Sequence, residues 1–180
     1  MGRLPIPYGP VRDPEDALEV MQNQQAGCLV GSPTQILNLA RRWNPQNKAP
    51  RTILLSTDYV PAAIVQTLEK IWGCEVFNHY GATEMGLGGG VECSAHRGLH
   101  LREADMYYEV IDPQTGESVP DGTYGEVVFS TLTRRGMPLI RYRMGDRSRF
   151  LTGECPCGTH LKTMECVSGR FSGFIRSEEH

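Results

Sequence analysis

Thr52-Ile-Leu-Leu55, then Pro61-Ala-Ala-Ile-Val-Gln-Thr-Leu-Glu-Lys-Ile-Trp72-Gly73, then Cys74-Glu-Val-Phe77: this run decides the fold class. Ile64, Val65, Leu68, Ile71 and Trp72 recur at helical spacing, which predicts an amphipathic helix. Pro61 opens it and Gly73 stops it. The flanking apolar runs lack polar alternation, so they predict strands buried on both faces. Strand, helix and strand in that order predict a parallel sheet with crossover helices. The pattern extends upstream. Asp13 caps a helix with Pro14 at its first position and Ala17, Val20 and Met21 on one face, ended by Gly27. Cys28-Leu-Val30 reads as a short buried strand. Ser32 and Pro33 open a second helix bearing Ile36, Leu39, Ala40 and Trp43, and Asn44 to Pro50 reads as a loop.

From about residue 100 the pattern changes. Met106-Tyr-Tyr-Glu-Val-Ile111 alternates like a strand. Asp112-Pro-Gln-Thr-Gly116 and Pro120-Asp-Gly122 carry turn chemistry. Glu126-Val-Val-Phe129, Leu139-Ile-Arg-Tyr-Arg143 and Arg147 to Leu151 read as three further strands. The expectation is α/β, divided into an α/β subdomain over 1–100 and a mainly antiparallel β-hairpin subdomain over 101–180.

The 180 residues carry a net charge of −3 and are 39% hydrophobic, which excludes collagen, coiled coil and wholesale disorder. The mildly acidic balance argues against nucleic acid as a partner. No apolar run approaches the ~20 residues that span a bilayer, so no membrane is expected. Met1-Gly-Arg-Leu-Pro5 is no export signal, which makes the cytoplasm the expected compartment. In that reducing setting the six cysteines read as ligands or buried thiols before disulfides.

Ligands of open α/β sheets gather beyond the carboxyl ends of the strands. Two loops are predicted there: Ser56-Thr57-Asp58, and Asn78-His-Tyr-Gly-Ala-Thr-Glu-Met-Gly-Leu-Gly-Gly-Gly90. The second holds five glycines, which let backbone amides approach an anion closely. It also holds Thr83 beside Glu84. A hydroxyl and a carboxylate can share a phosphate oxygen and a divalent metal. Leu87 to Gly90 leave room for an acyl pocket.

Tyr80-Gly-Ala-Thr-Glu84 resembles the Tyr-Gly-x-Thr-Glu signature of the adenylate-forming superfamily. Arg141-Tyr-Arg-Met-Gly-Asp146 resembles that superfamily's Tyr-Arg-Thr-Gly-Asp element, with Met144 in place of Thr. Gly169-Arg170 follows at similar spacing. Gly98-Leu-His100, Asp112 to Gly116, Gly125 to Thr133 and Cys155-Pro-Cys-Gly158 are similar to the phenylacetate–CoA ligase branch. The resemblance implies an enzyme that activates a carboxylic acid, of phenylacetate-like aryl type, with ATP and passes the acyl group to coenzyme A. It further implies that Tyr80 stacks on adenine, Thr83 touches the AMP phosphate and Glu84 holds Mg²⁺. Asp146 would bind the ribose hydroxyls with support from Arg170. Asn78, His79 and Gly81 would lie with Tyr80 along the nucleotide, and the backbone of Ser56, Thr57 and Asp58 would line the adenine pocket.

Cys93, His96, His100, Cys155 and Cys157 offer five soft or borderline ligands, and structural zinc takes four. The resemblance favours Cys93, His100, Cys155 and Cys157. The alternative is free thiols in a loop. The resemblance also implies that a phosphate loop upstream and a lysine-bearing small domain downstream are missing, so that the chain is the C-terminal part of a large domain, inactive alone. Its remaining partner would be the rest of the ligase. A non-catalytic nucleotide-binding module and a zinc-stabilised interaction module are the competing readings.

Overall fold

Helices α1 (Pro14–Asn23), α2 (Pro33–Arg41) and α3 (Ala62–Trp72) form where apolar stripes and start signals coincide. The computed structural model describes residues 5–171. The sequence readings at Met1–Leu4 and Ser172–His180 lie outside that range. The chain divides into two compact units, Met1–Val76 and Phe77–His180.

In the first unit the Asp13 carboxylate accepts from the Glu15 amide at 2.9 Å, capping α1 ahead of Pro14. Strands β1 (Cys28–Gly31) and β2 (Thr52–Leu55) pair in parallel, from Cys28 opposite Thr52 to Gly31 opposite Leu55, with α2 as the connection between them. Leu18, Ile36, Leu39, Ile53, Leu55, Leu68 and Trp72 form the core, where Trp43 meets Trp72 edge-on at 5.8 Å. Gly73 ends α3 with φ 60°, a conformation that suits a residue without Cβ.

Two expectations are corrected here. Gly27 does not end α1: the helix stops at Gln24, and Gln25 takes the left-handed turn at φ 48°. β1 is not fully buried. Cys28 and Val30 are exposed on β1, which stands at the edge of its sheet beside β2.

Strand β3 (Glu75–Tyr80) leaves the first unit and enters the second. It runs three residues further than Phe77, so Asn78, His79 and Tyr80 are strand and not loop. Pairing with β4 (Gly90–Glu92) extends it, with His79 opposite Val91 and Tyr80 opposite Gly90. β4 then pairs with β5 (Leu99–Leu101), and β5 with β9 (Thr163–Met164), all antiparallel.

A second antiparallel sheet contains β6 (Met106–Ile111), β7 (Gly125–Thr131) and β8 (Tyr142–Ser148) in that order. Their inward faces, with Met85, Leu99 and Leu101, build a core around Phe129. The two strands expected over 139–143 and 147–151 are one strand, β8. Arg141, at φ 47°, breaks the chain ahead of it, and Gly145, at φ 73°, absorbs a bulge inside it. Asp146 therefore sits in a strand.

Leu68 is fully buried on α3. Leu68→Ala is expected to cost about 2–5 kcal/mol in urea unfolding, and a loss below about 1 kcal/mol would contradict the packing described.

Candidate functional site

The second unit brings several of the named side chains together. Asp146 is 6% exposed. The Tyr80 hydroxyl donates to its Oδ2 at 2.9 Å, and Arg170 Nε donates to its Oδ1 at 2.8 Å. A backbone bridge between Asp146 and Arg170 holds the pair in register. Tyr80 reaches in from the end of β3, Asp146 from the bulged part of β8.

A buried carboxylate is tolerable when paired and hydrogen-bonded. This one has two donors and about four lone-pair sites, so each oxygen keeps acceptor capacity. Two vicinal hydroxyls could use it. Burial, then the Asp146 charge, pushes the Tyr80 phenol well above its ordinary value. The hydrogen bond to Asp146 raises the Arg170 guanidinium, with smaller contributions from Tyr80 and Glu84.

Glu84 sits in a single 3-10 turn, Thr83–Met85, directly after β3. Its Oε1 accepts from the Tyr142 hydroxyl at 3.2 Å. Thr83 is exposed at the start of this turn, and its carbonyl accepts from the Gly86 amide at 3.1 Å. Tyr142 escaped sequence reading because Arg141 and Arg143 flank it as if on a solvated face. The alternation of Tyr142 and Met144 against the two arginines was the available signal.

Two of the loop's glycines serve close packing. Gly88, at φ 94°, has no room for a side chain: a Cβ would stand 2.1 Å from His79 Nε2. A Cβ on Gly89 would meet Met85 Sδ at 2.5 Å, and the Gly89 carbonyl accepts from Tyr108. Gly88 to Gly90 are buried, while Leu87 is 90% exposed.

Asn78 donates from its backbone to Glu92 at 2.7 Å and from its side chain to Cys166 at 3.4 Å. Burial first, then Glu92, pushes the Cys166 thiol up to about 12. Ser56, Thr57 and Asp58 belong to the first unit, beyond the carboxyl end of β2. There Ser56 donates to the Gly31 carbonyl at 3.0 Å and Thr57 takes φ 74°. Positive φ is rare for a β-branched residue and marks a strained turn.

The ligand atoms of Cys93, His100, Cys155 and Cys157 all lie within 4.8 Å of one another. The Cys93 and Cys155 sulfurs are 3.6 Å apart, and Cys157 Sγ is 3.4 Å from His100 Nε2. Zinc bonds of ~2.3 Å to sulfur and ~2.0 Å to nitrogen, at tetrahedral angles, give edges of about 3.8 and 3.5 Å. The donor set therefore fits zinc. Thr163 Oγ1 lies 3.1 Å from His100 Nδ1 and orients the ring, as partners behind ligating histidines do. A backbone hydrogen bond from Cys157 lowers the Cys155 thiol, while burial raises that of Cys93. His96 instead stacks on Phe77 and lies 3.8 Å from Glu92.

Tyr80→Phe tests the pairing at the carboxylate. A phenol raised on folding contributes stability that is present below its unfolded value of about 10 and lost as pH rises beyond it. The variant is expected to lose about 1–2 kcal/mol at pH 7 and to show a shallower decline in stability above pH 10. An unchanged alkaline limb would contradict the geometry.

A model of the family described as AMP-binding enzyme matches residues 4–133. Phenylacetate-coenzyme A ligase of Thermus thermophilus is 38% identical over 166 residues, covering 87% of this chain and 37% of that protein. The Pseudomonas putida enzyme of the same name is 32% identical over 146 residues, covering 77% and 33%. The chain thus spans about a third of the length of the curated relatives it matches. A crystal structure of 2-hydroxyisobutyryl-CoA ligase with R3-HIB-AMP superposes with a TM-score of 0.83 at 23% identity, covering 94% of this chain and 38% of that one. A benzoate CoA ligase from Burkholderia xenovorans gives 0.67 at 17% identity, covering 91% and 35%. Both share the mixed α/β fold described above. The family match over most of the chain, on top of that fold, establishes that this chain belongs to the AMP-binding enzyme family, with phenylacetate-coenzyme A ligases among its relatives.

Proposed function

We propose that this chain is the AMP-holding part of an AMP-forming acid–thiol ligase of the phenylacetate–CoA type. The observation that carries the reading is the buried Asp146 carboxylate, held by Tyr80 and Arg170 with acceptor capacity to spare. Asp146 accepts from the two ribose hydroxyls, and the Tyr80 ring stacks on adenine. Thr83 donates to the α-phosphate. Asn78, His79 and Gly81 line the nucleotide.

In such a reaction the substrate carboxylate attacks the α-phosphorus of ATP and pyrophosphate leaves. The thiol of coenzyme A then displaces AMP from the acyl-adenylate. The acid is ionised at neutral pH, so no general base is needed for the first step. The demand is for charge stabilisation on the transferring group. Glu84, with phosphate oxygens, would hold Mg²⁺, which when bound neutralises that charge; hard oxygen ligands suit the ion. Cys93, His100, Cys155 and Cys157 would hold a structural zinc, which with four protein ligands has no open position for chemistry.

A second reading, a zinc-stabilised nucleotide-binding module without catalysis, is favoured by the four-ligand cluster lying in the unit that holds Asp146. Calorimetric titration with AMP tests the first claim. Saturable binding is expected, weakened at least tenfold by Asp146→Ala; a wild-type chain that binds no AMP would overturn both readings. Acid-dependent pyrophosphate release, once the remaining parts of such a ligase are supplied in trans, distinguishes ligase from module.

Metal analysis is expected to find one zinc per chain, lost in Cys155→Ser. Zinc ligation needs thiolates and a neutral imidazole, so affinity falls as pH drops. Retention of zinc in the serine variant would contradict the assigned ligands.

A further inference from the structure

β8 reaches Asp146 only after a detour. Arg143 stands opposite Val128, and Arg147 stands opposite Glu126. Three residues of β8, Met144, Gly145 and Asp146, therefore face one residue of β7, Val127. The ladder cannot satisfy the backbone in such a bulge. The Gly145 amide is satisfied instead by a side chain: it donates to Glu126 Oε1 at 3.1 Å. Glu126 is 4% exposed, on a strand where Val127, Val128 and Phe129 are fully buried. Its other oxygen, Oε2, accepts from Arg143 Nε at 2.9 Å and also from Arg143 Nη2. A buried carboxylate is retained where its partners repay its desolvation. Here those partners are the two flanks of the bulge: Arg143 before it, and Gly145 next to Asp146.

We propose that Glu126 is a positioning residue for the ribose-binding carboxylate: by accepting from the Gly145 amide it fixes the bulge that turns Asp146 toward Tyr80 and Arg170. The inference rests on the AMP-holding reading above. Its consequence is specificity. A fixed Asp146 presents both oxygens to a vicinal diol. A bulge free to relax presents them in many orientations and recognises the second hydroxyl poorly.

Calorimetry with AMP and with 2′-deoxyadenosine monophosphate tests this on the whole chain. The wild type is expected to prefer AMP by about tenfold, the size of one hydrogen bond to a charged group. Glu126→Gln has one carbonyl oxygen for two donors, Gly145 and Arg143, so it is combined with Arg143→Met; the double variant keeps that oxygen for Gly145 and retains the preference. Arg143→Met breaks the ion pair, leaves the Gly145 contact and also retains it. Glu126→Ala removes the acceptor, and Glu126→Asp withdraws it while keeping the charge; both reduce the preference below about twofold. If Glu126→Ala does not fold, Glu126→Asp decides. If neither folds, the wild-type Gly145 amide decides by hydrogen exchange: protection is expected, and fast exchange overturns the proposal. Preference unchanged in the alanine and aspartate variants overturns it, as does loss of preference in the Glu126→Gln, Arg143→Met double variant. A wild type that binds neither nucleotide overturns the AMP-holding reading itself, a result visible before any variant is made.

Discussion

The buried Asp146 carboxylate ties three stretches of the second unit together. Asp146 is ionisable and almost wholly shielded, which is costly without partners. Tyr80 and Arg170 supply them from two other stretches of chain. That convergence ties the end of β3, the bulge of β8 and the segment after β9 to one another. Removing either donor leaves an under-satisfied charge, which is more damaging than the loss of one hydrogen bond at a surface.

The sheet around it serves this convergence. β3 is prolonged by pairing with β4, so Tyr80 is fixed by a ladder and not left on a flexible loop. The glycines at 88 and 89 allow the return of the chain to pass against His79 and Met85 without a side chain between them. At the far end of β4, beyond Glu92, Cys93 joins His100 of β5 and the Cys155–Cys157 turn. The metal-fitting cluster gathers around Cys93 and His100 of this short hairpin, while Tyr80 pairs with Gly90 at the start of β4. A metal there would brace the hairpin without entering the chemistry.

The helices of the first unit were legible because start signals, stripes and stops agree: Asp13 and Pro14, Ser32 and Pro33, Pro61 and Gly73 all bound helices within a residue or two. The parallel pair was legible from apolar runs without alternation. Strand ends were harder. Asn78 to Tyr80 read as loop because their polarity outweighs a pairing made 10 to 12 residues away in the chain. β8 read as two strands because a glycine bulge looks locally like a turn. Two motifs were legible whose residues, Tyr80 and Asp146, do converge. What lay hidden was their support: Tyr142 behind Glu84, Thr163 behind His100, and Glu126 behind Gly145. For Glu126 a signal existed, since a carboxylate inside Gly125-Glu-Val-Val-Phe129 has to be paired. Its partners are set by a register shift that no local pattern encodes.

A crystal structure of this chain grown with AMP tests the central claim most directly. The account predicts one ribose hydroxyl within hydrogen-bond distance of each Asp146 oxygen, with the purine against the Tyr80 ring and the Tyr80 and Arg170 contacts intact. A nucleotide bound elsewhere, or an Asp146 carboxylate enclosed by protein groups with no ribose in reach, would contradict it.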